Sequence, residues 1–88
     1  MKSGFVYILE DLDGKYYIGS TSNLGVRLRQ HSSGTTQTTR RMNNPRMVLN
    51  QKYATIYEAR SIEKKMKKMK RRDYVEKMIR EGFIRLSP

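Results

Sequence analysis

FVYILEDLDGKYYIG, residues 5–19, decides the fold. Phe5, Val6, Tyr7, Ile8 and Leu9 form an apolar, β-branched and aromatic run, the composition of a strand. Asp13-Gly14 is a hairpin turn signal, because glycine reaches the positive φ that tight turns demand. Tyr16-Tyr17-Ile18 then predicts a second strand, antiparallel to the first and ended by Gly19 and Ser20. Strand 5–10 and this partner set up a small antiparallel sheet, and the rest of the chain has to cover it.

Downstream, Ser22 or Asn23 can cap a helix running to about His31, since either side chain accepts from a free backbone N–H. Gly25 weakens that helix slightly, and Ser32-Ser33-Gly34 stops it. Residues 34–45 are rich in Thr, Asn and Arg and read as a loop punctuated by Pro45. Arg46 to Tyr53, with Met47-Val48-Leu49, predicts a third strand. Thr55-Ile56-Tyr57-Glu58 has the form of a capping box and starts a helix. In it Ala59, Ile62, Met66 and Met69 recur on one stripe. Asp73 to Glu76 repeats the cap-and-acid pattern, which predicts a last helix over 74–81 ended by Gly82. The expected fold class is α+β: a small three-stranded antiparallel sheet flanked by helices, in the order β-β-α-β-α-α, forming a single domain over residues 1–88.

Composition narrows the function. With 88 residues the core is modest. There is no cysteine, so disulfides and cysteine-bound zinc are excluded, and a cytoplasmic setting is favoured. The apolar runs are too short to cross a bilayer, and the first residues do not form a signal peptide. The formal net charge of +11 predicts a polyanionic partner, nucleic acid or an acidic membrane surface. Residues 60–85 hold eleven of the nineteen Lys and Arg against four acids.

Three groups of residues could carry chemistry. Leu24, Arg27, Leu28 and His31 share one helix face, and the leucines turn it inward. Arg27 and His31 there need polar company, which a phosphate would supply. In the alternative, Arg27 snorkels to solvent and His31 sits at a frayed helix end. Glu63 lies beside the stripe of the longer helix, at the edge of its buried face. It is either a ligand for a hard divalent ion or one half of an i,i+4 ion pair with Lys67. Tyr7, Tyr16 and Tyr17 are strand aromatics, of which at least two read as structural.

Together these residues resemble the GIY-YIG nuclease superfamily, in particular its small single-domain (URI-type) members. Phe5-Val6-Tyr7 and, ten residues on, Tyr17-Ile18-Gly19 match the motif pair. Ser20-Thr21, Leu24, Arg27 and His31 follow at the family's spacing. Gly34, Thr38-Thr39 and Pro45 fit the loop of the small members, and Glu58-Ala59 with Glu63 and Lys67 looks like their helix. The resemblance implies a metal-dependent endonuclease that hydrolyses nucleic-acid phosphodiester bonds, with DNA the expected substrate. Tyr7 would activate or orient the attacking water, and Tyr17 would position a phosphate oxygen or the same water network. Gly19 would allow close backbone approach. Arg27 would stabilise phosphate charge, and His31 would assist proton traffic or hold the site together. Glu63 would bind one Mg²⁺ or Mn²⁺. Thr38, Thr39, Arg40, Arg41, Lys67 and Lys70 are the expected nucleic-acid contacts. A tyrosine base needs a nearby cation to bring its pKa down from ~10.

Two matters are left to structure. A two-residue turn at Asp13-Gly14 would point Tyr7 and Tyr17 to opposite faces, so sharing a site requires a three-residue loop or a bulge. A non-catalytic nucleic-acid-binding module on the same fold is the main competing function, and a membrane binder through residues 60–81 is a third. Sequence specificity would be weak or supplied by a separate partner.

Overall fold

A computed structural model describes residues 2–32 and 41–87. It contains β1 (Gly4–Glu10), β2 (Tyr16–Thr21), α1 (Leu24–Ser32), β3 (Arg46–Tyr53), α2 (Ile56–Met69) and α3 (Arg72–Glu81). The strands form one antiparallel sheet in the order β2-β1-β3. This is the expected α+β order, with β1, apolar from Phe5 to Leu9, at its centre.

The β1–β2 connection answers the question of parity. Asp11 N–H donates to Lys15 O (3.0 Å) and Gly14 N–H to Asp11 O (3.1 Å). Leu12-Asp13-Gly14 is thus a three-residue loop, with Gly14 at φ 82°. An odd loop shifts the register by one residue from that of a two-residue turn. Tyr7 comes opposite Gly19 and Leu9 opposite Tyr17. Side chains alternate along a strand, so Tyr7 and Tyr17 share a face. β2 also runs on through Gly19 and Ser20 to Thr21, beyond the end expected of it, because β1 offers a full edge to pair with.

The two faces of the sheet differ in use. Val6 and Ile8 face α2, where Ala59, Ile62 and Met66 complete a core with Leu49, Val75, Met78 and Ile84. Met69 packs against this cluster, so the methionines are core and the membrane-binding alternative falls away. Among the described residues no helix is long and apolar enough to cross a membrane. Tyr7 and Leu9 are just as buried but point to the other face.

Helix ends follow local chemistry. Thr55 Oγ1 accepts from Glu58 N–H (3.2 Å), the expected cap of α2. Asn23 rather than Ser22 caps α1, accepting from Val26 N–H (3.1 Å). Gly82, at φ 80°, ends α3 and donates to Met78 O. The start of α3 differs from expectation. The helix begins at Arg72, and Asp73 sits in its first turn with its carboxylate held by Arg71 (2.7 Å) instead of capping. An acid there still favours the helix by facing its positive end.

Candidate active site

Tyr7 occupies the middle of the central strand and is fully buried. Its ring lies across Gly19: a Cβ built on that residue would fall 2.4 Å from the Tyr7 hydroxyl and 2.5 Å from Cζ. Gly19 therefore does admit a close approach, and the group that approaches is the phenol. Tyr17 and His31 join it. The three rings lie 5.5–6.2 Å apart centre to centre, tilted or edge-on, a favourable arrangement for aromatic pairs.

The central contact is a hydrogen bond of 2.9 Å between Tyr7 Oη and His31 Nε2. Among the described side chains of α1 only His31 is buried. Leu24, Arg27 and Leu28 are half-buried, so the inward face expected of this helix is real and His31 is its deepest point. Burial, helped by the Arg27 charge, pushes the imidazole below its ordinary pKa. His31 is thus held neutral, and in the Nδ1-protonated tautomer its Nε2 accepts the Tyr7 proton. The phenol departs from expectation. Burial and the neighbouring Tyr17 raise the Tyr7 pKa, and the lowering by Arg27 does not offset them. Tyr7 rests as a phenol, and with His31 protonated on Nδ1 the imidazole Nε2 is a neutral acceptor for its proton.

Arg27 and Glu63 both act electrostatically on that phenol, Arg27 lowering its pKa and Glu63 raising it. β2, which carries Tyr17 and Gly19, is an edge strand of the sheet. Arg27 Nε is buried without a hydrogen-bond partner. A buried guanidinium N–H left unpaired is costly, and an anion at this spot would satisfy it.

Glu63 is about one fifth exposed on its side chain and is held at both oxygens. Ser20 Oγ donates to Oε1, and Lys67 Nζ donates to Oε2 at 2.5 Å. Lys67 also lies over the Tyr17 ring at 5.9 Å. The i,i+4 pair weighed from the sequence therefore exists, and it lies beside the ring cluster. Among the described residues there is no cluster of three or more His, Cys, Asp or Glu able to cage an ion. One carboxylate suits a hard cation such as Mg²⁺ or Mn²⁺ that keeps most of its waters. The Lys67 ammonium at Oε2 marks a place where positive charge is already stabilised.

The fold thus gathers Tyr7, Tyr17, Gly19 and His31 into one cluster, with Arg27 and Glu63 acting on it. Lys67 touches the cluster, whereas Lys70 is exposed at the end of α2 and Arg41 is exposed ahead of β3. Gly34, Thr38, Thr39 and Arg40 lie outside the described residues. Ser20 belongs to the motif spacing quoted above, but no sequence pattern announces its hydrogen bond to the carboxylate of Glu63, 43 residues away. Asp11 was also missed. It is buried and accepts from Asp13 N–H, Lys15 N–H and Asn43 N–H, tying the hairpin loop to the segment before β3.

Comparison with known proteins bears on this geometry. A family model described as the GIY-YIG catalytic domain matches residues 3–78. A UPF0213 protein from Streptococcus pneumoniae serotype 4 is 38% identical over 68 residues, covering 76% of this chain and 69% of the relative; a second S. pneumoniae UPF0213 protein matches equally. The solution NMR structure of a UPF0213 protein from Bacillus halodurans superposes with a TM-score of 0.58 at 31% identity, covering 91% of this chain and 86% of that one.

Proposed function

The chain belongs to the GIY-YIG family, whose domains are of nuclease type, and on that premise we propose that it is a divalent-metal-dependent endonuclease acting on nucleic-acid phosphodiester bonds, with DNA as its first expected substrate. The observation that carries this reading is the buried Tyr7–His31 hydrogen bond, on which a guanidinium and a carboxylate both act. A module that only adheres to phosphates has no use for a proton-transfer pair or for a carboxylate beside an anionic ligand.

The residues divide the work as follows. The scissile phosphate enters at the edge of β2, where Arg27 meets its non-bridging oxygens and satisfies the orphaned Nε. The Tyr17 hydroxyl orients the phosphate or the attacking water. As water oxygen bonds to phosphorus, its proton passes to Tyr7 Oη while the Tyr7 proton passes to His31 Nε2. This relay needs no free phenolate, so a phenol with a raised pKa can serve. The bond from phosphorus to the leaving oxygen breaks in the same displacement, and solvent protonates that oxygen. Ser20 fixes the orientation of Glu63, and Glu63 would hold the cation, with Lys67 yielding its place. A divalent ion held by Glu63 would supply positive charge against the charge that develops at the phosphate. Arg27 acts on the same developing charge, and a single preorganised group of this kind is worth roughly a hundredfold to a thousandfold in rate.

One observation favours the non-catalytic alternative: the Glu63–Lys67 pair is complete without any ion. The decisive experiment is incubation with single-stranded, duplex and branched DNA, with and without Mg²⁺ or Mn²⁺, alongside Glu63→Ala. Metal-dependent cleavage that disappears in Glu63→Ala supports the nuclease. Binding without cleavage under every condition rejects it.

A further inference from the structure

All four acids of residues 60–85 are paired with cations of the same segment: Glu63–Lys67, Asp73–Arg71, Glu76–Arg72 and Glu81–Arg85. The remaining positive charge is not spread evenly. At 100° per residue, Tyr57, Arg60, Lys64 and Lys68 fall along one outward strip of α2, at i, i+3, i+7 and i+11. All four are exposed, and none of the three cations has an acid partner among the described residues. At its head Tyr57 keeps 65% of its surface exposed, an unusual state for a large aromatic in a folded domain. Lys67, which pairs with Glu63, borders this strip and connects it to the site.

Resting on the nuclease reading, we propose that the outer face of α2 is the track for an unpaired nucleic-acid strand leading to Glu63. The row pairs an aromatic face with cations at regular spacing. A base stacks on Tyr57, and Arg60, Lys64 and Lys68 hold successive phosphates, with about 12 Å of helix rise from Arg60 to Lys68. Cations alone would serve a duplex equally well. The exposed tyrosine separates the two, since only an unpaired strand offers it the face of a base. With its three cations engaged on phosphates, the strip has no side chain left to read base edges, so binding is independent of sequence.

The test is fluorescence anisotropy of the full chain in EDTA, with labelled single-stranded and duplex DNA of equal length at several salt concentrations. The single strand should bind more tightly. Tyr57→Ala should weaken single-strand binding by about fivefold to a hundredfold, the range for one lost base stack, and leave duplex binding nearly unchanged. Lys64→Gln and Lys68→Gln should each reduce the slope of log K against log salt by about 0.7 on the single strand. Lys77→Gln, on α3, is the control and should cost less than either. Equal loss on both DNAs in Tyr57→Ala, or no loss, overturns the track. Cleavage assays of the same variants with Mg²⁺ tell its failure from that of the parent reading. Cleavage untouched by the α2 variants sinks the track alone, whereas α2-dependent binding with no cleavage sinks the nuclease and leaves the track.

Discussion

Gly19→Ala adds one methyl group, and the structure says where it goes. The new Cβ would lie 2.4 Å from the Tyr7 hydroxyl, 2.5 Å from Cζ and 3.0 Å from Cε1, whereas ordinary contact begins near 3.4 Å. The ring must retreat by about 1 Å, and a phenol bonded to His31 at 2.9 Å cannot do that and keep its bond. Tyr7 is fully buried, so it has no open space to enter. Overpacking of this kind costs about 1–3 kcal/mol. In a domain of this size each kcal/mol lowers Tm by roughly 4–8 °C, so the expected fall is about 4–24 °C. A 1 Å misplacement in a catalytic constellation can cost about a hundredfold in rate, and cleavage should fall at least that far. Calorimetry and a cleavage time course on the same preparation measure both effects. Removing the hydroxyl first should relieve the closest clash, so Gly19→Ala should destabilise a Tyr7→Phe background less than it does the wild type, with a coupling of about 0.5–3 kcal/mol. A Gly19→Ala variant with unchanged Tm and full activity would refute the placement of the Tyr7 ring.

Four further outcomes follow. Tyr7→Phe should lower cleavage by about 10²–10⁴-fold while leaving DNA affinity in EDTA unchanged, and full activity in that variant would end the proton-relay role. The folded-state His31 pKa lies below its ordinary value, so the unfolded chain takes up the proton first; stability should decline as pH drops below about 6.5 and level off under the depressed pKa, whereas cleavage by the folded protein should hold through that window and fall only as pH passes through the depressed pKa itself, with His31→Asn flattening the stability trend. Glu63→Ala should abolish metal-stimulated cleavage yet lower stability by only about 1 kcal/mol, because the Lys67 end of its ion pair is half exposed, and a large loss of Tm would mean that the carboxylate is structural. Burial opposes the charge on Asp11, but the N–H groups of Lys15, Asn43 and Asp13 together hold its pKa below the usual range; Asp11→Ala should lower Tm at neutral pH, and the gap from wild type should close as pH falls through that depressed pKa and the wild-type carboxylate is protonated.

The legible parts of this chain are those in which neighbours along the sequence settle the matter. Thr55 and Glu58 announce the start of α2, the Ala59–Ile62–Met66 stripe its buried side, and Gly82 the end of α3. Arg27 and His31 could be placed on one inward face because helical spacing alone puts them there. What stayed closed depends on partners distant in sequence. Ser20 can be placed in a motif by spacing, but its bond to Glu63 exists only once α2 has packed beside β2. Asp73 has the look of a cap but is taken by Arg71, two residues before it. The direction of the Tyr7 pKa depends on the balance between burial and the Arg27 charge, and no pattern of letters reports how deeply a strand residue will lie.

The loop Leu12-Asp13-Gly14 touches none of the reacting groups, yet it acts as a phase setting for them. Deleting or adding one residue there would rotate Tyr17 and Gly19 away from Tyr7 and bring Ile18 and Ser20 round instead, while leaving β1, α2 and most of the core untouched. A two-residue change would preserve the phase. Length variation at this surface turn should therefore be tolerated in steps of two, and a single-codon indel, harmless by every measure of exposure, should act as a null allele.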